Sequence, residues 1–399
     1  MTVHSVSAGV VAWLFAVTGP VAIILSVARA GDLGDRETSS WIFGAFVFNG
    51  VLTIITSWLY QQPLAFFWTI PGAVVVGTAL IHLPWSQVLG AFLVTGVLMT
   101  VLGLSGHVRD TMALLPMPIV MAMVAGVFLK FGVELFTAMV ALPWVVVPMT
   151  LAYLIVAARP RLAHWVPPVL GALVVGMLAV LLSGAWPPLT VSHWIVRPEL
   201  QAPQFTAQAL LELVVPLAIT VLVVQNGQGR AVLTEAGHHP PMNVITIVCG
   251  IWSVAAGAVG AVSTCLAGPA NALLVDSGER RRQYTGAIVC GVLSVAFGIL
   301  APVTVRIMLA APAAFIAAIA GLAMLQALRG AFVTAFAGRF TFGALVCLLV
   351  TISNITVLNI SSAFWGIVAG LATTATLERS ELREHVAGVR HQARDRTPG

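Results

Sequence analysis

Apolar runs of about twenty residues, cut by short polar breaks, recur from one end of the chain to the other. A helix of that length rises about 30 Å, enough to cross the hydrocarbon core of a bilayer. Reading the runs between the breaks predicts about fourteen spans. Seven fall at 6–28, 41–59, 66–81, 86–105, 114–131, 140–157 and 165–184. Seven more fall at 209–229, 242–259, 262–275, 284–303, 311–328, 340–354 and 360–377. The third and tenth spans are short, and each is interrupted by adjacent proline and glycine, Pro71–Gly72 and Gly268–Pro269. The pattern predicts an all-α polytopic membrane protein with two broken spans.

The runs also repeat. "GVLMTVLG" at 96–103 returns as "GVLSVAFG" at 291–298, and "AMVAG" at 122–126 as "AAIAG" at 317–321, both at an offset of 195. Gly171 and Gly366 keep the same spacing, and "PVAI" at 20–23 matches "PLAI" at 216–219. A constant offset predicts two seven-span halves, 1–190 and 205–377, followed by a charged cytoplasmic tail at 378–399. Seven is odd, so the second half enters the membrane from the opposite side. This is the inverted repeat of many secondary transporters.

In hydrocarbon, unpaired backbone groups are tolerated only where protein or a cavity protects them. Two broken spans at matched repeat positions therefore point to a binding site near the midplane. Each is read as a short extended strand followed by a half-helix. Pro71 and Pro269 are expected at the first helical position, where a missing N–H is harmless. Gly72 and Gly268 are expected to let a ligand approach the backbone. Two facing helix N-termini, at Pro71–Ala73 and Pro269–Asn271, would form an anion site without a buried cation. Simple kinks are the alternative for the two prolines. Nearby side chains define the candidate lining: Phe67 and Trp68 for an aromatic ring, Thr69, Ser263 and Thr264 as hydroxyls, and Asn271 as an amide. In the eighth span, Gln225 and Asn226 are polar within an apolar run, suited to a ligand or to joining helices.

Composition agrees with a membrane protein. The chain of 399 residues is 59% hydrophobic and 8% charged, against about 25% charged in soluble domains. Mean hydropathy is +1.00. Fourteen of the nineteen Lys and Arg residues fall on one side of the predicted topology, which places both termini in the cytoplasm. That distribution explains the net charge of +5 without nucleic acid. The first run, 6–28, is span-length with no basic segment before it, so no cleavable signal peptide is expected. The four cysteines lie in apolar runs without CxxC spacing, suggesting neither disulfides nor zinc. No cofactor is indicated. No HExxH, paired intramembrane carboxylates or Ser/His/Asp set supports an enzyme. Ionisable residues within or at the ends of spans are few: Glu212 in the eighth, the i,i+4 pair Lys130–Glu134 at the outer end of the fifth, and His82 ending the third. Glu212 is the coupling candidate.

The stretches "WTIPGA" (68–73), "AMVAGVFLKFG" (122–132), "QNGQGRAVLTEAGHHPP" (225–241) and "SSAFWGIVAGL" (361–371) resemble the BenE-type benzoate/proton symporters. That family is similar in turn to nucleobase and sulfate-type anion transporters. The resemblance implies a seven-plus-seven inverted repeat in the bacterial inner membrane. A core domain (6–105 with 209–303) would move against a gate domain (114–184 with 311–377). It further implies a proton-coupled carrier of a small organic anion such as benzoate, with a homodimer as one assembly. Gln225 falls where nucleobase transporters carry an acidic residue. A carrier or channel for an inorganic anion or a nucleobase is the alternative.

Overall fold

The structure, a computed structural model, describes residues 3–106, 108, 115–159, 166–183, 193–275, 279–353, 355, 357 and 362–394. Arg109, Arg161 and Arg396, which contribute to the charge bias, lie outside the described residues.

In the first half, α1 is Val3–Ala30, α2 Asp35–Tyr60, β1 Phe66–Trp68 and α3 Ile70–Ala79. Then come α4 (Trp85–Leu104), α5 (Met117–Ala141), α6 (Pro143–Ala157) and α7 (Pro168–Leu182). The second half has α8 (Ala207–Glu235), α9 (Met242–Gly257), β2 (Thr264–Leu266) and α10 (Gly268–Val275). It continues with α11 (Gln283–Ile299), α12 (Ala313–Phe336), α13 (Thr341–Ile352) and α14 (Ser362–Leu377). A charged helix, α15 (Arg379–Arg394), follows. All fourteen expected spans have a helical counterpart among the described residues.

Prolines set several boundaries. Pro118, Pro143 and Pro168 stand in the first turns of α5, α6 and α7, where they cost no hydrogen bond. The span expected at 284–303 instead ends at Ile299, because Leu300 leaves helical geometry (φ −89°, ψ 14°). A separate short helix, Ala301–Ala310, follows it. Two helices contain π-type turns: α2 at Gly44–Phe48, and α8 at both Leu210–Val214 and Thr220–Gln225.

The repeat seen in the sequence has a packing cause. Gly96 of α4 faces Gly250 of α9, and Gly50 of α2 faces Gly291 of α11. A Cβ added to any of the four would lie 2.7–2.8 Å from the facing glycine's carbonyl oxygen. The repeated glycines are therefore sites of backbone-to-backbone helix contact, the small-residue packing that membranes favour. Elsewhere α5 packs along α12 and α13, α6 along α7, and α13 along α14. Among the described residues the sheet has two strands, one from each half, paired antiparallel. This is the inverted repeat at its midpoint: β1–α3 and β2–α10 are the same strand-and-half-helix unit, running in opposite directions.

Candidate substrate site

The strands cross with Phe66 opposite Leu266, Phe67 opposite Cys265 and Trp68 opposite Thr264. Three-residue strands leave most of their backbone groups to other partners, and the chain supplies them. Thr69 N–H donates to the Ser263 carbonyl and Ala267 N–H to the Ala65 carbonyl, both at 3.0 Å. Thr53 Oγ1 accepts from Phe66 N–H (2.8 Å), Ser57 Oγ from Leu64 N–H (3.1 Å) and Ser253 Oγ from Thr264 N–H (2.9 Å). Asn226 Oδ1 accepts from Leu266 N–H at 2.8 Å. Asn271 accepts from Ala65 N–H (3.0 Å) and donates to the carbonyls of Ala65 (3.0 Å) and Ala267 (2.8 Å). The Thr264 hydroxyl donates to Asn49 Oδ1 at 2.8 Å. These contacts give a buried non-helical backbone the partners that lipid could not.

Each strand runs into the N-terminus of a half-helix. Thr69 caps α3, its Oγ1 accepting from Gly72 N–H at 3.2 Å. With that cap in place, Pro71 is the second helical residue rather than the first, and Pro269 likewise follows Gly268 at the start of α10. Ala73 N–H bonds the Thr69 carbonyl and Asn271 N–H the Ala267 carbonyl. In these first turns the N–H groups of Ile70, Gly268 and Ala270 have no partner within their own helix.

Ile70 and Ala270 line a small cavity, together with Pro269, Ala267, Phe67, Trp68 and Gln225, and with Phe15, Ala16 and Pro20 of α1. About 20 Å³ of it is open to the centre of a water molecule. That holds a water or so, not an aromatic ring, so the structure shows a closed site. Phe67 and Trp68 meet Phe46 of α2 edge-on, with ring centroids 6.0 and 4.9 Å away. Gln225 closes the second π turn of α8. Its Oε1 and the Trp68 Nε1 are buried without a partner. So are Asn226 Nδ2 and Ser263 Oγ, outside the cavity lining.

Of the residues expected at the site, Phe67, Trp68, Gln225 and Pro269 line the cavity. Thr69, Thr264, Asn226 and Asn271 hold the crossing together. Pro71, Ala73 and Ser263 are buried beside it. Gly72 and Gly268 differ from expectation. A Cβ on Gly72 would meet Thr69 Cγ2 at 2.3 Å and Leu217 Cδ2 at 2.9 Å, and one on Gly268 would meet Gln228 Cβ at 2.7 Å. Both glycines seat the half-helices against α8, and the space beside them is filled by protein. Glu212 is fully buried in the first π turn of α8. Its Oε2 lies 3.0 Å from His82 Nε2, beyond the end of α3, and its Oε1 has no partner. Missed in the sequence were the supports Asn49, Thr53 and Ser57. Their i,i+4,i+8 spacing puts three polar groups on one face of an apolar helix, and that was the available signal.

A family model described as "BenE: Benzoate membrane transport protein" matches residues 1–376. The chain belongs to the BenE family. BenE membership makes it an integral membrane transport protein and not an enzyme. Curated relatives include the inner membrane protein YdcO of Escherichia coli, 28% identical over 91% of this chain and 93% of that protein. Another is the benzoate membrane transport protein of Acinetobacter baylyi, 27% identical over 91% and 92%. Solved structures with the same fold include the transmembrane domain of a cyanobacterial bicarbonate transporter, BicA. It has a TM-score of 0.64 at 15% identity, covering 92% of this chain and 97% of that one. A murine solute carrier 26 family anion transporter in its inward-facing state gives a TM-score of 0.63 at 13% identity, covering 95% and 68%. This BenE chain thus has the fold of anion-transporter membrane domains.

Proposed function

We propose that the chain carries a small aromatic carboxylate, of which benzoate is the simplest, across the bacterial inner membrane with protons. The observation that supports this most directly is the makeup of the central cavity. Two half-helix N-termini, three aromatic side chains and a glutamine amide with an unpartnered oxygen meet there, with no charged side chain in the lining. The helix ends favour an anion, Phe67 and Trp68 favour a ring, and the Gln225 amide turned by rotation presents Nε2 to a carboxylate oxygen. The closed cavity widens as a core of α1–α4 and α8–α11 moves against a gate of α5–α7 and α12–α14.

The proton is assigned to Glu212 and His82. Glu212 is a fully buried carboxylate with one free oxygen and the His82 imidazole as its partner, and ionisable residues inside spans mark ion and proton pathways. The test is uptake of labelled benzoate into proteoliposomes under an imposed pH gradient. Wild-type protein accumulates benzoate above its equilibrium level. Glu212→Gln keeps benzoate exchange but loses the gradient-driven accumulation. Accumulation by Glu212→Gln at the wild-type level would remove the proton from this pair, and no uptake by the wild type would remove the substrate.

Gln225→Ala checks the site itself. Losing a buried hydrogen-bond partner costs about 1–3 kcal/mol, so benzoate affinity falls roughly five- to 150-fold. The melting temperature without ligand stays near wild type, since Gln225 Oε1 has no partner to lose. Unchanged affinity would make Gln225 a helix-packing residue.

A further inference from the structure

A second cavity lies where α3 meets α5, α13 and α14. About 230 Å³ is open to the centre of a water molecule, some tenfold more than in the central cavity. Thr78, Lys130, Glu134, Thr351 and Ser362 supply its polar lining. The three hydroxyls are committed within the chain: Thr78 to the Val75 carbonyl, Thr351 to that of Cys347 and Ser362 to that of Thr351. Lys130 is different. It is the only lysine of the chain. It stands near the middle of α5, where a charge facing hydrocarbon is costly. Its side chain is 49% exposed and that of Glu134 is 33% exposed, so both charges reach the open space of the cavity.

The pair is also weak. Lys130 Nζ is 3.8 Å from Glu134 Oε1, with the lysine N-terminal to the glutamate, the poorer order for an i,i+4 pair. An ammonium has three donors, and one long contact leaves donors for another acceptor. The short helix α3 joins the two cavities, with Ile70 lining the central one and Thr78 this one. Eight residues of helix separate them by about 12 Å. We propose that this cavity is a second anion site, in which Lys130 receives a small carboxylate on its way to or from the central site. Glu134 competes for the same ammonium and so keeps the anion from being held too long. The proposal rests on the anion-transport reading, and it adds a place and a residue to it.

A sole lysine makes the test selective. Purified protein is treated with a sulfonated N-hydroxysuccinimide acetate at constant ionic strength, and acetylation of Lys130 is followed by peptide mass spectrometry. Benzoate is expected to slow the modification at least threefold, and benzamide to leave it unchanged. The protection should persist in Gln225→Ala, whose central site is weakened. Protection by sulfate or chloride but not benzoate would keep the Lys130 site and overturn the aromatic carboxylate. Equal rates with and without every anion would overturn the Lys130 site, as would protection that disappears in Gln225→Ala. Protection in bilayers of anionic lipid with no small anion added would assign the cavity to headgroups and overturn it too.

Discussion

Asn271→Leu is expected to leave almost no folded transporter in the membrane. Leucine keeps the same branched skeleton of heavy atoms, so what the substitution chiefly removes is the polar groups. Asn271 is fully buried, and its amide closes three hydrogen bonds at the strand crossing. Leucine leaves the Ala65 N–H unmatched, at about 1–3 kcal/mol, and removes two further bonds, at about 0.5–1.5 kcal/mol each, to the carbonyls of Ala65 and Ala267, which keep a backbone partner, so the loss is roughly 2–6 kcal/mol. Proteins have about 5–15 kcal/mol of stability in total. Yield in the membrane fraction and the melting temperature of whatever is recovered provide the check, with Gln225→Ala as the reference for a buried amide that closes no such bonds. Melting at the wild-type temperature would show that the crossing holds without this amide.

Benzoate is expected to bind roughly tenfold to a few-hundredfold more tightly than benzamide. Ring and size hardly change between the two, so the comparison isolates charge. The central cavity has no charged lining, and its positive potential comes from the first turns of α3 and α10. One helix end is worth about 0.3–1 kcal/mol when exposed and up to about 2 kcal/mol when partly buried. Two ends acting on the same carboxylate give the stated range. Titration calorimetry on purified protein near neutral pH measures both affinities, and equal values would count against the paired helix ends.

Much of this was legible in the sequence, for physical reasons. Fourteen apolar runs must be helices because lipid offers the backbone no other partner. The constant offset between halves was visible because glycines such as Gly96 and Gly291 face a backbone and admit no side chain. The broken spans were visible because Pro71 and Pro269, each beside a glycine, fall at matched positions of two short spans. Which side chains reach the cavity was less so. Phe15, Ala16 and Pro20 come from a different span, α1, and no local pattern marks them. Asn271 and Thr264 look like ligand groups in the sequence. Only the structure shows that the Asn271 amide serves the backbone and that the Thr264 hydroxyl bonds the Asn49 side chain. Likewise, the partnership of His82 with Glu212 joins spans far apart in the chain.

The pairing of Phe66 with Leu266 also sets a clock. These residues are made two hundred positions apart. At about 5–20 residues per second, the ribosome needs on the order of 10–40 s to deliver the second after the first. Throughout that interval the nascent third span has a strand with no mate, and Asn271, which closes the backbone of Ala65, does not yet exist. Until then Thr53 and Ser57, synthesised just before the strand, can shelter part of its backbone. The first half can therefore be inserted early but cannot mature alone. Its final assembly waits for the arrival of its inverted twin, which makes the interval before the tenth span the time of greatest exposure to membrane quality control.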